Sequence, residues 1–406
     1  MPRSRSLSGL IVAELISLTG SAMTFIALPW FVLQATGSTA KMSWVLAAEM
    51  LPVAVVGIPA GSVIARLGAK RTMLISDAVR GPLLLVIPVL HRTGHLSFPA
   101  LLAVTFAIGV FTAPYFASSR LVVPEIVGDD ERTVAQVNAV LAGANEITQI
   151  AGPVLAGLVI SAASPSAVLV VDGCSYLLSF LTIALLVSAG SAVASTAESR
   201  GIFAGLRFLL RDGLLGPVMI VACALNFAVQ GMIVGLQGLA YFRFDADARV
   251  LGLLFGAFGA GALCGALVAQ RLVRTVDLPK LAAVAIVAMP LPLFLLAFSL
   301  PATASIAVVA VVGFFTPLVN APMMGLLTVR TPEALRPKVL TAVMTVATMA
   351  GPLGFVAAGE ALRYVPLSRF FVILPALLTI GALAFAAVLL RHRREQDLSL
   401  SRVAHG

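Results

Sequence analysis

Twelve apolar runs, each about long enough to cross a lipid bilayer, occupy this chain from Leu7 to Leu390. A hydrocarbon core about 30 Å thick requires roughly 20 residues of α-helix, because each residue adds about 1.5 Å. The predicted spans are 8–35, 42–65, 72–91, 97–119, 135–161, 166–188, 214–241, 250–271, 280–299, 303–328, 339–362 and 367–390. The sequence therefore predicts an all-α membrane protein with 12 transmembrane helices.

The composition agrees with a membrane protein and excludes an ordinary soluble one. Of the 406 residues, 60% are hydrophobic and 11% are charged, whereas about 25% are charged in a typical soluble domain. The net charge of +9 would indicate nucleic-acid binding in a soluble protein. Here the basic residues lie in short connections between spans, so we expect the lipid bilayer as a partner and no nucleic acid.

The basic residues also predict the orientation of the chain. If the N-terminus is inside, most of the 27 lysines and arginines fall on the cytoplasmic side. The opposite side holds only Lys41, Arg92, Arg243, Arg249, Arg363 and Arg369. Short loops rich in Lys and Arg remain in the cytoplasm. We therefore expect a multi-pass protein of the plasma (inner) membrane with both termini in the cytoplasm.

Short segments of the first half recur in the same order in the second half. Gly-Val-Phe-Thr at 109–112 recurs as Gly-Phe-Phe-Thr at 313–316, Pro-Glu at 124–125 recurs at 332–333, and Gly-Pro at 152–153 recurs at 351–352. The predicted organisation is an N-terminal six-helix half (1–190), a cytoplasmic linker (191–213), a C-terminal six-helix half (214–390) and a cytoplasmic tail (391–406). Transporters built from parallel repeats bind their substrate between the two halves.

The segment 61–71, between the second and third spans, resembles the signature loop of the major facilitator superfamily. The matching residues are Gly61, Arg66, Gly68, Lys70 and Arg71. Ala65 stands where the family usually has an aspartate that helps to hold the cytoplasmic gate shut. We assign Asp77 in the third span to the same gating set, together with Arg80 three residues later.

Three further segments, 28–38, 123–127 and 138–157, resemble the drug and siderophore exporters of this superfamily, which include macrolide efflux pumps. The resemblance implies a monomeric transporter that works by alternating access and exports small amphipathic molecules. Ser21 departs from that branch, which commonly has an aspartate after the preceding glycine. Gly152-Pro153 and Gly351-Pro352 are predicted hinges, because proline removes a helical hydrogen bond and glycine permits close approach.

Charges inside the spans are costly and therefore informative. Glu146 lies roughly 16 Å into the fifth span, near the bilayer centre, and shares a helix face with Asn138, Asn145 and Gln149. It is the leading proton-coupling residue, with Glu14 and Glu49 as further candidates. Asp172 and Glu360 are expected near the outer surface, in structural or solvated roles.

Neutral polar residues at helical spacing are the predicted lining of the substrate cavity. In superfamily members the first, fourth, seventh and tenth helices form the cavity wall, so the resemblance implies a cavity role for polar side chains on them. The cavity candidates are Ser17, Ser21 and Thr24 in the first span, Asn138, Asn145 and Gln149 in the fifth, Asn226, Gln230 and Gln237 in the seventh, and Thr316 and Asn320 in the tenth.

The leading functional hypothesis is a proton-coupled exporter that needs no cofactor beyond an ion gradient. Two alternatives remain open: export of a siderophore or lysophospholipid-like cargo, and a non-transporting membrane sensor or scaffold. An enzyme is not expected. Three of the four histidines lie outside the spans and His91 is the last residue of the third, and the sequence has no Gly-x-x-x-x-Gly-Lys-Ser/Thr phosphate loop. The three cysteines predict neither a disulfide framework nor a metal site.

Overall fold

The computed structural model describes residues 2–128, 130–188, 207–210 and 215–404. This part of the chain is almost entirely helical. Residues 207–210 form one helical turn, and the rest of the predicted linker, 191–206 and 211–213, lies outside the described residues.

The first half contains six long helices connected by short turns. They are α1 (Pro2–Thr36), α2 (Thr39–Leu67), α3 (Ala69–Arg92), α4 (Phe98–Val127), α5 (Glu131–Ala162) and α6 (Pro165–Leu186). Each covers one predicted span to within two residues and extends beyond it at one end or both, although α4 begins one residue later and α6 ends two residues earlier than its span. The prediction from apolar runs was therefore correct in helix number but too short at the helix ends, which carry polar residues.

The second half repeats this pattern with one interruption. Its helices are α7 (Leu215–Phe242), α8 (Ala248–Thr275), α9 (Leu278–Ala288), α10 (Ala302–Arg330), α11 (Arg336–Tyr364) and α12 (Leu367–Ala404). The predicted span 280–299 is not one continuous α-helix, because α9 ends at Ala288 and a 3₁₀ segment follows at Leu291–Ala297. Pro290 and Pro292 lack the amide hydrogen that an uninterrupted helix would use.

Ten of the helical segments in the described residues are long and apolar enough to cross a membrane. The two long helices outside this group are α2 and α5, and both carry predicted functional residues. Within the described residues, eleven long helices and the interrupted segment that begins with α9 agree with the all-α membrane fold predicted from the sequence.

Local capping explains where several helices begin. Ser38, Ser97 and Ser164 accept a backbone hydrogen bond at the starts of α2, α4 and α6. Asp130 caps α5, since its carboxylate accepts hydrogen bonds from the Thr133 amide (2.9 Å) and hydroxyl (2.6 Å). These bonds stabilise the ionised form and lower the pKa of Asp130 below its ordinary value.

The described helices form two compact units. The first comprises Met1–Ser199 with Ala240–Gly256, and the second comprises Arg200–Leu239 with Ala257–Gly406. In the first unit α1 packs against α5 and α6, α2 packs against α4, and α3 packs against α4 and α6. In the second unit α9 packs against α10 and α12.

The internal repeat has a structural counterpart in two helix crossings. Gly109 of α4 lies against the backbone carbonyl of Glu49 in α2, and Gly313 of α10 lies against the carbonyl of Phe258 in α8. A side chain at either glycine would overlap that carbonyl oxygen. The matching glycines found in the sequence therefore permit the same close crossing in both units.

Candidate functional site

The first unit buries most of the charges that the sequence placed inside its spans. Glu14 is 1% exposed, Asp77 and Asp172 are 0% exposed, and Arg80 is 1% exposed. They lie on α1, α3 and α6. The structure therefore joins side chains that the sequence analysis treated as separate candidates.

Arg80 is held by a carboxylate and two aromatic rings. Its Nη2 lies 2.5 Å from Asp77 Oδ1. Its guanidinium carbon lies 4.3 Å from the centre of the Tyr115 ring and 4.4 Å from that of Tyr176. The Tyr115 hydroxyl is 3.4 Å from the Ser179 hydroxyl. The positive charge is thus held between α3, α4 and α6, although Arg80 Nε has no hydrogen-bond partner within the described residues.

The structure separates this pair from the signature loop. Arg66 and Arg71 are exposed, whereas Asp77 and Arg80 are buried inside the unit. A gating role that Asp77 and Arg80 share with the loop stays a prediction. The i,i+3 pairing that the sequence indicated is confirmed.

The loop itself depends on glycine. Gly68 ends α2 and precedes α3 with φ of 82°, a backbone conformation that side chains with a Cβ rarely adopt. The Lys70 ammonium lies 3.4 Å from the Ala184 carbonyl of α6. Gly61 has open space beside it. Gly68 thus forms the sharp turn that connects α2 and α3.

The polar stripe of α1 faces the interior of the first unit. Glu14 is turned towards Ser119 of α4, and Ser17 and Thr24 are 2% and 5% exposed. The Ser21 hydroxyl lies 2.9 Å from the Tyr176 hydroxyl of α6. We expected Ser17, Ser21 and Thr24 to line a substrate cavity; Ser17 and Thr24 are buried and Ser21 is partly buried, and the cavity role stays a prediction.

Asp172 was expected near the outer surface in a structural or solvated role, and its complete burial excludes the solvated role. Its Oδ1 accepts a hydrogen bond of 2.9 Å from the Ser175 hydroxyl, and the Thr24 hydroxyl of α1 is turned towards the same carboxyl. Gly20 makes room for it, because a Cβ there would overlap Asp172 Oδ1 and Ser175 Oγ. Glu49 of α2 is close enough for electrostatic coupling to Asp172.

Glu146 occupies a different surface from these buried carboxyls. It is exposed on α5, next to Ile147, which is 65% exposed. Gln149 is exposed, Asn145 is partly buried, and Asn138 is partly buried with its backbone carbonyl 3.5 Å from an Arg120 nitrogen. The position of Glu146 is compatible with a cavity role, which stays a prediction.

The first unit also contains a close contact between α5 and the start of α8. A Cβ at Gly252 would lie 2.6 Å from the Pro153 carbonyl oxygen and 3.1 Å from Gly157 Cα. Arg249 Nε donates to the Ser161 hydroxyl at 3.2 Å. Gly152 faces Ala22 of α1, so a side chain there would overlap α1. This predicted hinge therefore lies at a tight helix contact.

Both hinge prolines lie inside uninterrupted α-helices, Pro153 in α5 and Pro352 in α11. Each proline removes one backbone donor without ending its helix. Bending at Gly152-Pro153 and Gly351-Pro352 during a transport cycle stays a prediction.

The cavity candidates of the second half differ in burial. Gln237 is 0% exposed, and neither its amide nitrogen nor its amide oxygen has a hydrogen-bond partner within the described residues. Asn226, Gln230 and Thr316 are partly buried and Asn320 is exposed. A separate cavity of about 420 Å³ lies between α7, α9 and α12, and its lining is apolar. It contains none of the predicted polar residues.

The family follows from a match over most of the chain. The sequence profile of the Major Facilitator Superfamily matches residues 10–355. The chain belongs to the major facilitator superfamily. This confirms the family expected from the signature loop, and the two sets of six helices agree with a major facilitator fold.

Among curated relatives, the multidrug efflux pump Tap of Mycolicibacterium fortuitum is 28% identical, over 96% of this chain and 97% of the relative. The multidrug efflux pump Tap of Mycobacterium tuberculosis (strain ATCC 25618 / H37Rv) is 25% identical, over 96% of this chain and 94% of the relative. The crystal structure of the nucleoside transporter NupG superposes with a TM-score of 0.80 at 13% identity, over 94% of this chain and 98% of NupG. The superposition supports the fold alone.

The sequence analysis missed three members of the buried cluster in this major facilitator protein: Asp172, Tyr115 and Tyr176. A signal for the α6 residues was present, because Asp172, Ser175, Tyr176 and Ser179 recur at the spacing of one helix face. Tyr115 likewise shares one face of α4 with Thr112 and Ser119, a signal that the sequence analysis did not use. The position of Asp172 along its helix did not predict its burial, because burial depends on the residues of the facing helices.

Proposed function

We propose that this major facilitator protein is a secondary active exporter of amphipathic organic molecules, driven by a proton gradient and working by alternating access. The observation that carries the proposal is the similarity to proteins named multidrug efflux pumps, which extends over almost the full length of both chains. Carboxyl groups held inside the first unit support coupling to protons, because such groups bind and release protons in membrane pumps and transporters.

Charge favours cationic or neutral cargo over anionic cargo. Glu14, Glu49, Asp77 and Asp172 are acids within helices of the first unit, whereas the base Arg80 is occupied by Asp77 and two tyrosine rings. An anionic siderophore would require a free positive charge in its site. No feature of the described residues favours the siderophore, lysophospholipid or sensor alternatives over drug export.

The proposed setting is the plasma (inner) membrane, with both termini in the cytoplasm, one chain as the working unit and no bound cofactor. The distribution of Lys and Arg supports this orientation. Outward movement of cargo would then be coupled to inward movement of protons. In everted vesicles the same cycle would accumulate cargo inside the vesicle when the lumen is acidic.

Accumulation of labelled tetraphenylphosphonium, a lipophilic cation, in proteoliposomes tests this function. Vesicles with an acidic lumen should accumulate the cation against its gradient, and nigericin, which exchanges potassium for protons, should abolish the accumulation. Glu146→Gln should reduce it if Glu146 couples transport to protons, while Glu360→Gln is the matched control. Accumulation that is unaffected by the proton gradient would contradict proton coupling. Absence of movement for a panel of cationic and neutral amphiphiles would contradict the proposed cargo class.

A further inference from the structure

We propose that the driving proton is bound and released at Asp172 of α6, with Glu49 of α2 as the coupled second carboxyl. The inference rests on the proposed function and assigns its proton site to residues inside the first unit. The proton adds to a carboxylate oxygen and later returns to water, with no other bond made or broken.

The two carboxyl oxygens of Asp172 differ in their hydrogen bonding. Ser175 donates a 2.9 Å hydrogen bond to Oδ1, whereas Oδ2 is inaccessible to solvent and has no hydrogen-bond partner within the described residues. Thr24, 5% exposed, turns its hydroxyl towards the carboxyl and likewise lacks a partner at ordinary hydrogen-bond distance. A proton on Oδ2 would convert this unpartnered acceptor into a hydrogen-bond donor.

Glu49 completes the pair from a third helix. Its Oε2 is also inaccessible and unpartnered within the part of the chain that the structure describes. Two neighbouring carboxyls in a low-dielectric interior are not both ionised unless a positive charge balances them. They therefore titrate as a coupled pair rather than as independent groups.

The charges facing the pair do not provide that balance. Arg80 of α3 is the nearby base, and its shortest contact is to Asp77 on its own helix, at 2.5 Å. Asp77 adds a further negative charge. Tyr176 of α6 adds a neutral hydroxyl, which forms a hydrogen bond with the Ser21 hydroxyl of α1. One guanidinium thus lies near three carboxyls, Asp77, Asp172 and Glu14, while the Glu49 carboxyl interacts with Asp172. At least one proton must be retained for the cluster to approach neutrality.

Gly20 connects this proton site to helix packing. Because Gly20 has no side chain, α1 approaches α6 closely enough for the Asp172 carboxyl to lie directly against its backbone. Loss of the proton would place an uncompensated charge at this contact, and that charge favours separation of the helices or entry of water. Protonation is therefore able to change how α1 packs on α6.

Infrared difference spectroscopy on the purified full-length protein tests the site without transport. The carbonyl stretch of a buried protonated carboxylic acid should disappear as the buffer changes from acidic to alkaline pH. This band should be lost in Asp172→Asn and altered in Glu49→Gln, but it should persist in Glu146→Gln and Glu360→Gln. A band of unchanged size and midpoint in Asp172→Asn would overturn the assignment.

Asp172→Asn keeps the shape and the acceptor for Ser175, and size-exclusion chromatography shows whether it folds. If it does not, Thr24→Val provides the decisive measurement. This variant removes the hydroxyl turned towards the carboxyl and should shift the pH midpoint of the band. An unchanged midpoint in a folded Thr24→Val protein would likewise overturn the assignment.

Transport by the same variants separates this inference from the proposed function. Asp172→Asn should lower accumulation of tetraphenylphosphonium driven by a proton gradient by about tenfold or more, while exchange of labelled for unlabelled cation stays within about twofold of wild type. Equal accumulation by wild type and Asp172→Asn would refute the proton site and leave the exporter function intact. A titrating Asp172 band in a wild-type protein that moves no cation would support the proton site and refute the proposed cargo.

Discussion

Replacement of Arg80 by Met should strongly destabilise the first unit. Arg80 and Asp77 are 1% and 0% exposed and lie 2.5 Å apart. Removing one partner of a buried pair leaves the other charge uncompensated, at a typical cost of about 3 to 5 kcal/mol. For a unit of this size, each kcal/mol corresponds to about 2 to 4 °C, so the apparent melting temperature should fall by about 6 to 20 °C.

The double variant Arg80→Met/Asp77→Asn should recover much of this loss. It removes the stranded charge, and what remains is the loss of the two contacts between the guanidinium and the rings of Tyr115 and Tyr176. Because the double variant leaves no uncompensated buried charge, it should be more stable than Arg80→Met and less stable than wild type. The difference in stability between Arg80→Met and the double variant measures the cost of leaving the Asp77 charge uncompensated.

Thermal unfolding in detergent, read by size-exclusion chromatography after heating, measures these shifts. Arg363→Met is the matched control, because Arg363 pairs with Glu360 at 2.9 Å but the two side chains are 51% and 37% exposed. Solvent screens an exposed pair and its contribution to stability is small, so this control should melt close to wild type. An Arg80→Met protein as stable as the control, or a double variant less stable than the single one, would refute the reasoning.

Three substitutions of glycine test close contacts and backbone conformation. Gly20→Val should cost about 1 to 3 kcal/mol, since its side chain would overlap the Asp172 carboxyl, and thermal unfolding would show this as a lower midpoint than in Gly381→Val, where the space is open. Gly68→Val should cost about 1 to 2 kcal/mol because φ there is 82°, and a midpoint equal to that of wild type would contradict the strained turn. Gly252→Val should separate α5 from α8, because its side chain would overlap the Pro153 carbonyl. In a background without native cysteines, labelling of Ser161→Cys by an impermeant maleimide should then increase, and unchanged labelling would argue against the contact.

The fold was predictable because its main determinant is local. Apolar runs long enough to span a bilayer specify helices almost regardless of their neighbours, since a backbone in lipid must satisfy its own hydrogen bonds. The break after Ala288 was not predicted, although Pro290 and Pro292 mark it in the sequence. The run remained apolar across these prolines, and the prediction used length alone.

The site was less predictable because it depends on which helix faces which. Glu14 was correctly singled out as a charge worth attention, yet its partner Ser119 lies on α4, a relation that periodicity within α1 does not contain. Asp172 was assigned by its distance from the membrane surface, whereas Gly20, Thr24 and Ser175 determine its environment. Side-chain spacing identifies a polar face of a helix, but the packing of several helices decides whether that face meets water, cargo or another helix.

Proton movement during transport is the most direct test of the central claim. Proteoliposomes containing a pH-sensitive dye would be challenged with tetraphenylphosphonium, beside empty liposomes and the Asp172→Asn protein. The account predicts a proton flux that begins with the cation, runs opposite to it and is lost in the variant. Cation movement by the wild-type protein without any accompanying proton flux would contradict a proton-coupled exporter.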